Sequence, residues 1–177
     1  MRQAQAGDMG AFRLLYEAYR DRVYNLAFYS LRDGLWAEDV LQVVFLKIHR
    51  GLPGFRYESS LATWIYRITM NELQNQQQRR RARYLPLEAI LGSDDECDAD
   101  SQPDLEQAAN QRREIIGLTV SELSPKLRAV VLLKYFEGLS YDEIAAVLGC
   151  APGTVASRLN RALAELEARL RPLKPIL

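Results

Sequence analysis

The run Gly92-Ser-Asp-Asp-Glu-Cys-Asp-Ala-Asp-Ser-Gln-Pro-Asp104 contains no large apolar side chain. Such a stretch cannot bury enough surface to offset the entropy of ordering it, so it splits the apolar patterning into two halves that must each build a core. Charge divides in the same way. Residues 1–84 carry 13 basic and 8 acidic side chains, a balance of +5; residues 85–114 carry 2 and 9, a balance of −7; residues 115–177 carry 8 and 6, a balance of +2. Neutrality over the whole chain, with 23 charges of each sign, therefore conceals two basic ends around an acidic middle. The predicted organisation is a domain over 1–84, a flexible acidic linker over 85–110 and a second domain over 111–177.

Both ends read as helices, and no strand-like alternation occurs. Phe12, Leu15, Tyr16, Tyr19, Val23, Leu26 and Ala27 recur at steps of three and four behind Asp8, a good N-cap. After the Arg32-Asp33-Gly34 break, Val40, Leu41, Val44, Phe45 and Ile48 repeat the stripe. Gly51, read as a C-cap, and Pro53 end that helix. Ser60 caps a third helix carrying Leu61, Trp64, Ile65, Ile68 and Leu73 and running into the basic tail Arg79-Arg-Arg81 and Arg83. Beyond the linker a helix is predicted over Pro103–Leu123. Ser124-Pro125 then opens another that Gly138 closes. Ser140-Tyr-Asp-Glu143 is a capping box for a short helix ended by Gly149, and a last helix runs from about Pro152 to Leu170. The fold class is thus all-α, two small helical domains.

The composition excludes several classes of function. No unbroken apolar run is longer than Ala129–Leu133, far short of the ~18 residues a membrane span needs, and the start lacks a signal-peptide core, so a cytoplasmic protein without membrane insertion is expected. Cys97 and Cys150 are far apart, and His49 is the one histidine, so no zinc site, disulfide or cofactor is expected. Glu38 and Asp39 are neighbours on a helix and do not face one another, and no nucleophile or base converges with them, which argues against an enzyme.

Two segments carry recognisable chemistry. The short helix, glycine turn and long helix over Tyr141–Leu170 have the pattern of a helix-turn-helix, with Val155, Leu159, Ala162, Leu163 and Leu166 predicted to be buried. Thr154, Ser157, Arg158 and Arg161 are left on a face able to enter a major groove, where arginine can bond guanine at two points. In the third helix, Thr63-Trp-Ile-Tyr-Arg-Ile-Thr-Met-Asn71 precedes the glutamine and arginine run. Aromatic, amide and basic groups in that order suit opened DNA. Trp64 shares the apolar stripe and is read as core; Tyr66 and Phe55 stay open between core and stacking roles.

Ala37-Glu-Asp-Val-Leu-Gln-Val-Val-Phe45, Thr63-Trp-Ile-Tyr-Arg-Ile68 with Asn71, and Gly138-Leu-Ser-Tyr-Asp-Glu-Ile-Ala145 with Gly153-Thr-Val155 and Ser157-Arg158 together resemble the extracytoplasmic-function sigma factors of bacteria. The resemblance spans nearly the whole chain. It implies a sigma region 2 bundle and a sigma region 4 helix-turn-helix, a non-catalytic subunit that binds RNA polymerase core, and partners comprising that core, promoter DNA and an anti-sigma factor, with a monomer when free of them. By the resemblance, Asp39, Gln42 and Phe45 meet the polymerase clamp, with Phe45 equally placed to be core. Asn71 captures a base flipped from the minus-10 element, and Arg79, Arg80, Arg81 and Arg83 lie along phosphates. Thr154, Ser157, Arg158, Asn160 and Arg161 serve the minus-35 element. Val43 stands where the family commonly has an acidic residue, and Ala156 where it often has a basic one. Three readings of the acidic linker stay open: a plain solvated tether, a segment that holds the basic domains together and off DNA in the free protein, or, by the resemblance, one that threads toward the polymerase active-site cleft. The rival reading is a conventional dimeric helix-turn-helix regulator, which makes no use of Asn71.

Overall fold

The computed structural model describes residues 1–84 and 115–173, with side chains for 1–80 and 115–172. The acidic linker, Cys97 and the first part of the helix predicted over Pro103–Leu123 lie outside the described residues.

In the first domain a single turn, α1 (Arg2–Gln5), precedes the long α2 (Met9–Leu31), α3 (Gly34–Gly51), a 3-10 turn (Leu52–Gly54) and α4 (Leu61–Tyr84). Local chemistry sets the starts: Asp8 accepts from Ala11 N at 3.0 Å, Asp33 from Trp36 N at 3.1 Å, and Ser60 from Thr63 N at 3.1 Å. The apolar stripes meet in a core of Leu15, Val23, Ala27, Val40, Val44, Ile48, Ile65 and Leu73.

Two boundaries differ from the sequence expectation. Gly51 is no left-handed cap: its φ is −86°, and the chain runs on into the 3-10 turn. A Cβ there would lie 3.1 Å from the Trp64 ring, so close approach of α4, not turn geometry, requires the glycine. The left-handed position closing α2 is instead Arg32, at φ 55°.

The second domain consists of α5 (described from 115 to 121), α6 (Pro125–Val131), a wide turn (Leu132–Phe136), α7 (Tyr141–Leu148), α8 (Pro152–Leu170) and a final 3-10 turn (Arg171–Leu173). The wide turn has π geometry where an ordinary helix was expected, with Glu137 N bonded to Leu132 O at 3.3 Å. Such a bulge rotates the residues beyond it, and it leaves Tyr135 and Phe136 exposed. Pro125 opens α6 as expected, but Ser124 makes no side-chain cap bond. Leu127, Val130, Leu133, Ile144, Val147, Val155 and Leu159 form this domain's core, joined by Leu26 and Tyr66 of the first domain. Leu163, expected inside, is exposed. Among the described residues no helix is long and apolar enough to cross a membrane.

Candidate nucleic-acid interface

The second half of the site is the helix-turn-helix. At its start the Ser140 hydroxyl accepts from Glu143 N at 3.2 Å, and Ser140 N donates to Glu143 Oε2 at 2.9 Å. Both predicted arms of the capping box are present. Those bonds to Ser140 hold the Glu143 carboxyl below its ordinary pKa. Gly149, at φ 62°, supplies the left-handed residue of the turn, and Pro152 opens α8. Val155, Leu159 and Ala162 bury one face of α8. The opposite face exposes Ser157, Asn160 and Arg161, with Thr154 and Arg158 half-buried beside it. Among the described residues the exposed Arg161 has one weak partner, the half-buried Glu165 at 3.6 Å. Arg158 turns inward, its Nη1 3.9 Å from Cys150 Sγ.

On α4, Arg67, Asn71, Gln74 and Gln78 succeed one another at steps of four, three and four and are all exposed. The opposite face buries Ile65, Thr69, Leu73 and a carboxylate, Glu72, bonded by Lys47 of α3. Sequence reasoning found Asn71 but missed Arg67, Gln74 and Gln78. Their signal is a polar row at helical spacing, interleaved with the aromatic and apolar residues of the same helix. Those aromatics resolve inward: Tyr66 and Phe55 are buried, and Trp64 sits half-buried with its ring 5.1 Å from that of Phe55.

The basic tail of α4 is less uniform than its sequence. Arg79 is exposed. Arg80 donates to Leu31 O at 3.1 Å, pairs with Asp33 at 3.6 Å and lies over the Trp36 ring at 5.6 Å. It thereby ties the end of α2 to α4, and this engagement is the departure from its expected phosphate role. The side chains of Arg81 and Arg83 lie outside the described residues.

On α3, Asp39 and Gln42 are exposed, whereas Phe45 is buried with its ring 4.7 Å from that of Tyr16. Phe45 is core, which closes the alternative the sequence left open and removes it as a surface contact. The exposed row gains two unpredicted apolar members: Leu35, Asp39, Gln42 and Leu46 share one stripe, with Leu35 79% and Leu46 56% exposed.

The two halves face a common cleft of about 840 Å³, to which Arg67, Asn71 and Gln74 of α4 and Arg158 of α8 all contribute. Its described walls include Arg67, Lys126, Arg128 and Arg158 and no carboxylate. Among the described residues there is no group able to hold a metal ion.

Comparison with known proteins fits this layout. Residues 15–83 match the family model Sigma-70 region 2, and residues 113–166 match Sigma-70, region 4. The ECF RNA polymerase sigma-E factor of Escherichia coli K12 is 34% identical over 177 residues, covering 97% of this chain and 92% of that protein. The chain belongs to the extracytoplasmic-function sigma factors. The sigma-E factor of Haemophilus influenzae is 35% identical over 180 residues, covering 97% of this chain and 93% of its own length. Among solved structures, the sigma factor RpoE of Bartonella quintana, in complex with the anti-sigma factor NepR, aligns with TM-score 0.74 and 24% identity over 91% of this chain and 97% of that one. CnrH, in complex with the cytosolic domain of CnrY, aligns with TM-score 0.71 and 24% identity over 97% of this chain and 94% of that one. These two share the fold. As an alternative sigma factor the chain directs transcription initiation, which sets aside the operator-binding regulator.

Proposed function

We propose that this sigma factor binds bacterial RNA polymerase core through the α3 row containing Asp39 and Gln42, and engages a promoter at two places. Asn71 holds a base flipped out at the minus-10 element, with Arg79, Arg81 and Arg83 serving adjacent phosphates. Ser157, Asn160 and Arg161 read the minus-35 element, with Thr154 and Arg158 flanking them. Flipping costs a few kcal/mol, so the captured base needs a directed hydrogen-bonding group, and an exposed amide on a rigid helix supplies one. The protein itself catalyses nothing, needs no cofactor, acts in the cytoplasm as a monomer when free, and is restrained by an anti-sigma factor. The domains divide at 1–84 and 111–177.

The observation that carries this reading is the α8 face, where Ser157, Asn160 and Arg161 stand exposed opposite the buried Val155, Leu159 and Ala162. In vitro transcription with core polymerase tests it. Promoter-dependent transcripts should require the chain and be lost on Asn71→Ala; transcripts indifferent to both would refute the assignment.

A further inference from the structure

The cleft of about 840 Å³ lies within the range, roughly 300–1,000 Å³, of sites that enclose a whole small molecule. Three kinds of group line it. Asn71, Gln74, Gln77 and Gln78 of α4 contribute four primary amides. Met70 of α4 and Leu148 of α7, both half-buried, contribute apolar surface. Arg67, Lys126, Arg128 and Arg158 contribute positive charge, and no wall residue opposes it.

One of these cations is already engaged. Arg128 donates to the carbonyls of Ser30 and Ser121, and to Leu123 O at 2.9 Å. The other three keep free donors. Arg67 uses its Nε on Ala146 O at 3.1 Å, which leaves both terminal nitrogens. Arg158 has a weak contact, Nη1 3.9 Å from Cys150 Sγ, and Lys126 is exposed. No salt bridge among the described residues involves any of the three. Like charges gathered in a recess focus a positive potential there and draw in an anion of high charge density. An amide beside them offers a donor and an acceptor together, the complement of the N6 and N7 edge of adenine.

We propose that the cleft is a binding site for an adenine nucleotide carrying two or more phosphates. Arg67, Lys126 and Arg158 take the phosphates, Gln74 and Gln78 the edge of the base, and Met70 and Leu148 its face. A free nucleotide fits better than a DNA strand, because adjacent phosphates concentrate on one small molecule the charge that a strand spreads at one per nucleotide. Lys126, in addition, stands outside both rows assigned to the promoter. The site shares Asn71 and Arg158 with those rows but does not rest on their assignment.

Isothermal titration of the free full-length protein tests it, in magnesium-free buffer and without polymerase or promoter. The probes are ADP, GDP, adenosine, inorganic pyrophosphate and a short single-stranded oligodeoxyadenylate. ADP should bind one-to-one, and about 10-fold or more tightly than any of the others, the worth of a two-point base contact added to the phosphate contacts. Lys126→Ala should weaken ADP and pyrophosphate alike by about 3- to 10-fold, as the loss of one hydrogen bond does. Gln74→Ala with Gln78→Ala should weaken ADP by at least that factor and leave pyrophosphate unchanged. Alanine is the better helix former, so far-UV circular dichroism should show full helicity in both variants. Four results would overturn the proposal: no saturable ADP binding; pyrophosphate as tight as ADP, which makes the cleft a charge sink only; the oligonucleotide tighter than ADP, which makes it a strand site; or ADP affinity indifferent to both variants, which puts the nucleotide elsewhere.

Discussion

Arg161→Ala isolates the base-reading claim from everything that holds the fold together. Arg161 is 78% exposed at its side chain, and its one partner among the described residues is the half-buried Glu165 at 3.6 Å on the same helix. A surface pair of that spacing contributes about 0.3–0.5 kcal/mol, so the variant should lose no more than that in urea denaturation. A two-point contact to guanine, by contrast, is worth about 1–3 kcal/mol of discrimination, or roughly 5- to 150-fold in affinity. The assay is anisotropy titration of holoenzyme, reconstituted with wild type or variant, on a duplex bearing the minus-35 element of a mapped promoter and on duplexes changed one base pair at a time. The variant should bind the native element 5- to 150-fold more weakly, and the loss should vanish at one substituted position. If the loss is the same on every duplex and the salt slope falls by about 0.9, Arg161 contacts a phosphate and the reading is wrong.

Ala156→Arg, beside the same face, should add one phosphate contact: the slope steepens by about 0.9, an extra 3- to 4-fold loss of affinity between 50 and 200 mM salt, and an unchanged slope rules the contact out. Lys47→Met should cost about 2 kcal/mol in urea denaturation, because Glu72, 3% exposed at its side chain, is left among the described residues with only the Gln76 amide at 3.3 Å. Glu72→Gln in the same background should recover part of that loss, and a change below about 0.5 kcal/mol for the single variant would refute the pairing. Ser140→Ala should destabilise the second domain by about 1 kcal/mol at neutral pH. The Glu143 carboxyl is held below its ordinary pKa, so its contribution is complete above the ordinary carboxylate range and is lost as pH falls through the lowered value. The gap between wild type and Ser140→Ala should therefore narrow in acid; a constant gap would contradict the capping role of the carboxylate.

What the sequence made legible was local. Asp8, Ser60 and the Ser140–Glu143 box act within one turn, and the apolar stripes need only helical spacing, so the helices and the exposed face of α8 could be read from residues alone. What escaped depends on elements distant in the chain. Gly51 reads as a cap in sequence because nothing nearby reveals the Trp64 ring resting on it. Arg80 was grouped with its neighbours because its partners, Leu31 and Asp33, lie in another helix region. Leu163 fits the α8 stripe by spacing but stands exposed, whereas Leu166 one turn on packs against the core. Tyr66 could not be assigned, since its partner Glu137 stands 71 positions away. Glu137 directly follows a π turn that no residue pattern announces. Leu35 and Leu46 lie off the buried stripe of α3, so a pattern that marks the core does not mark them.

The most direct measurement is in vitro transcription over fragmented genomic DNA of the source bacterium by core polymerase, with and without the chain, with start sites mapped. New starts should appear only with the chain, share two short elements at constant spacing, and disappear with Asn71→Ala while the variant still binds core. Starts that arise without the chain, or that have no common upstream sequence, would contradict a protein whose two helical domains each read one promoter element.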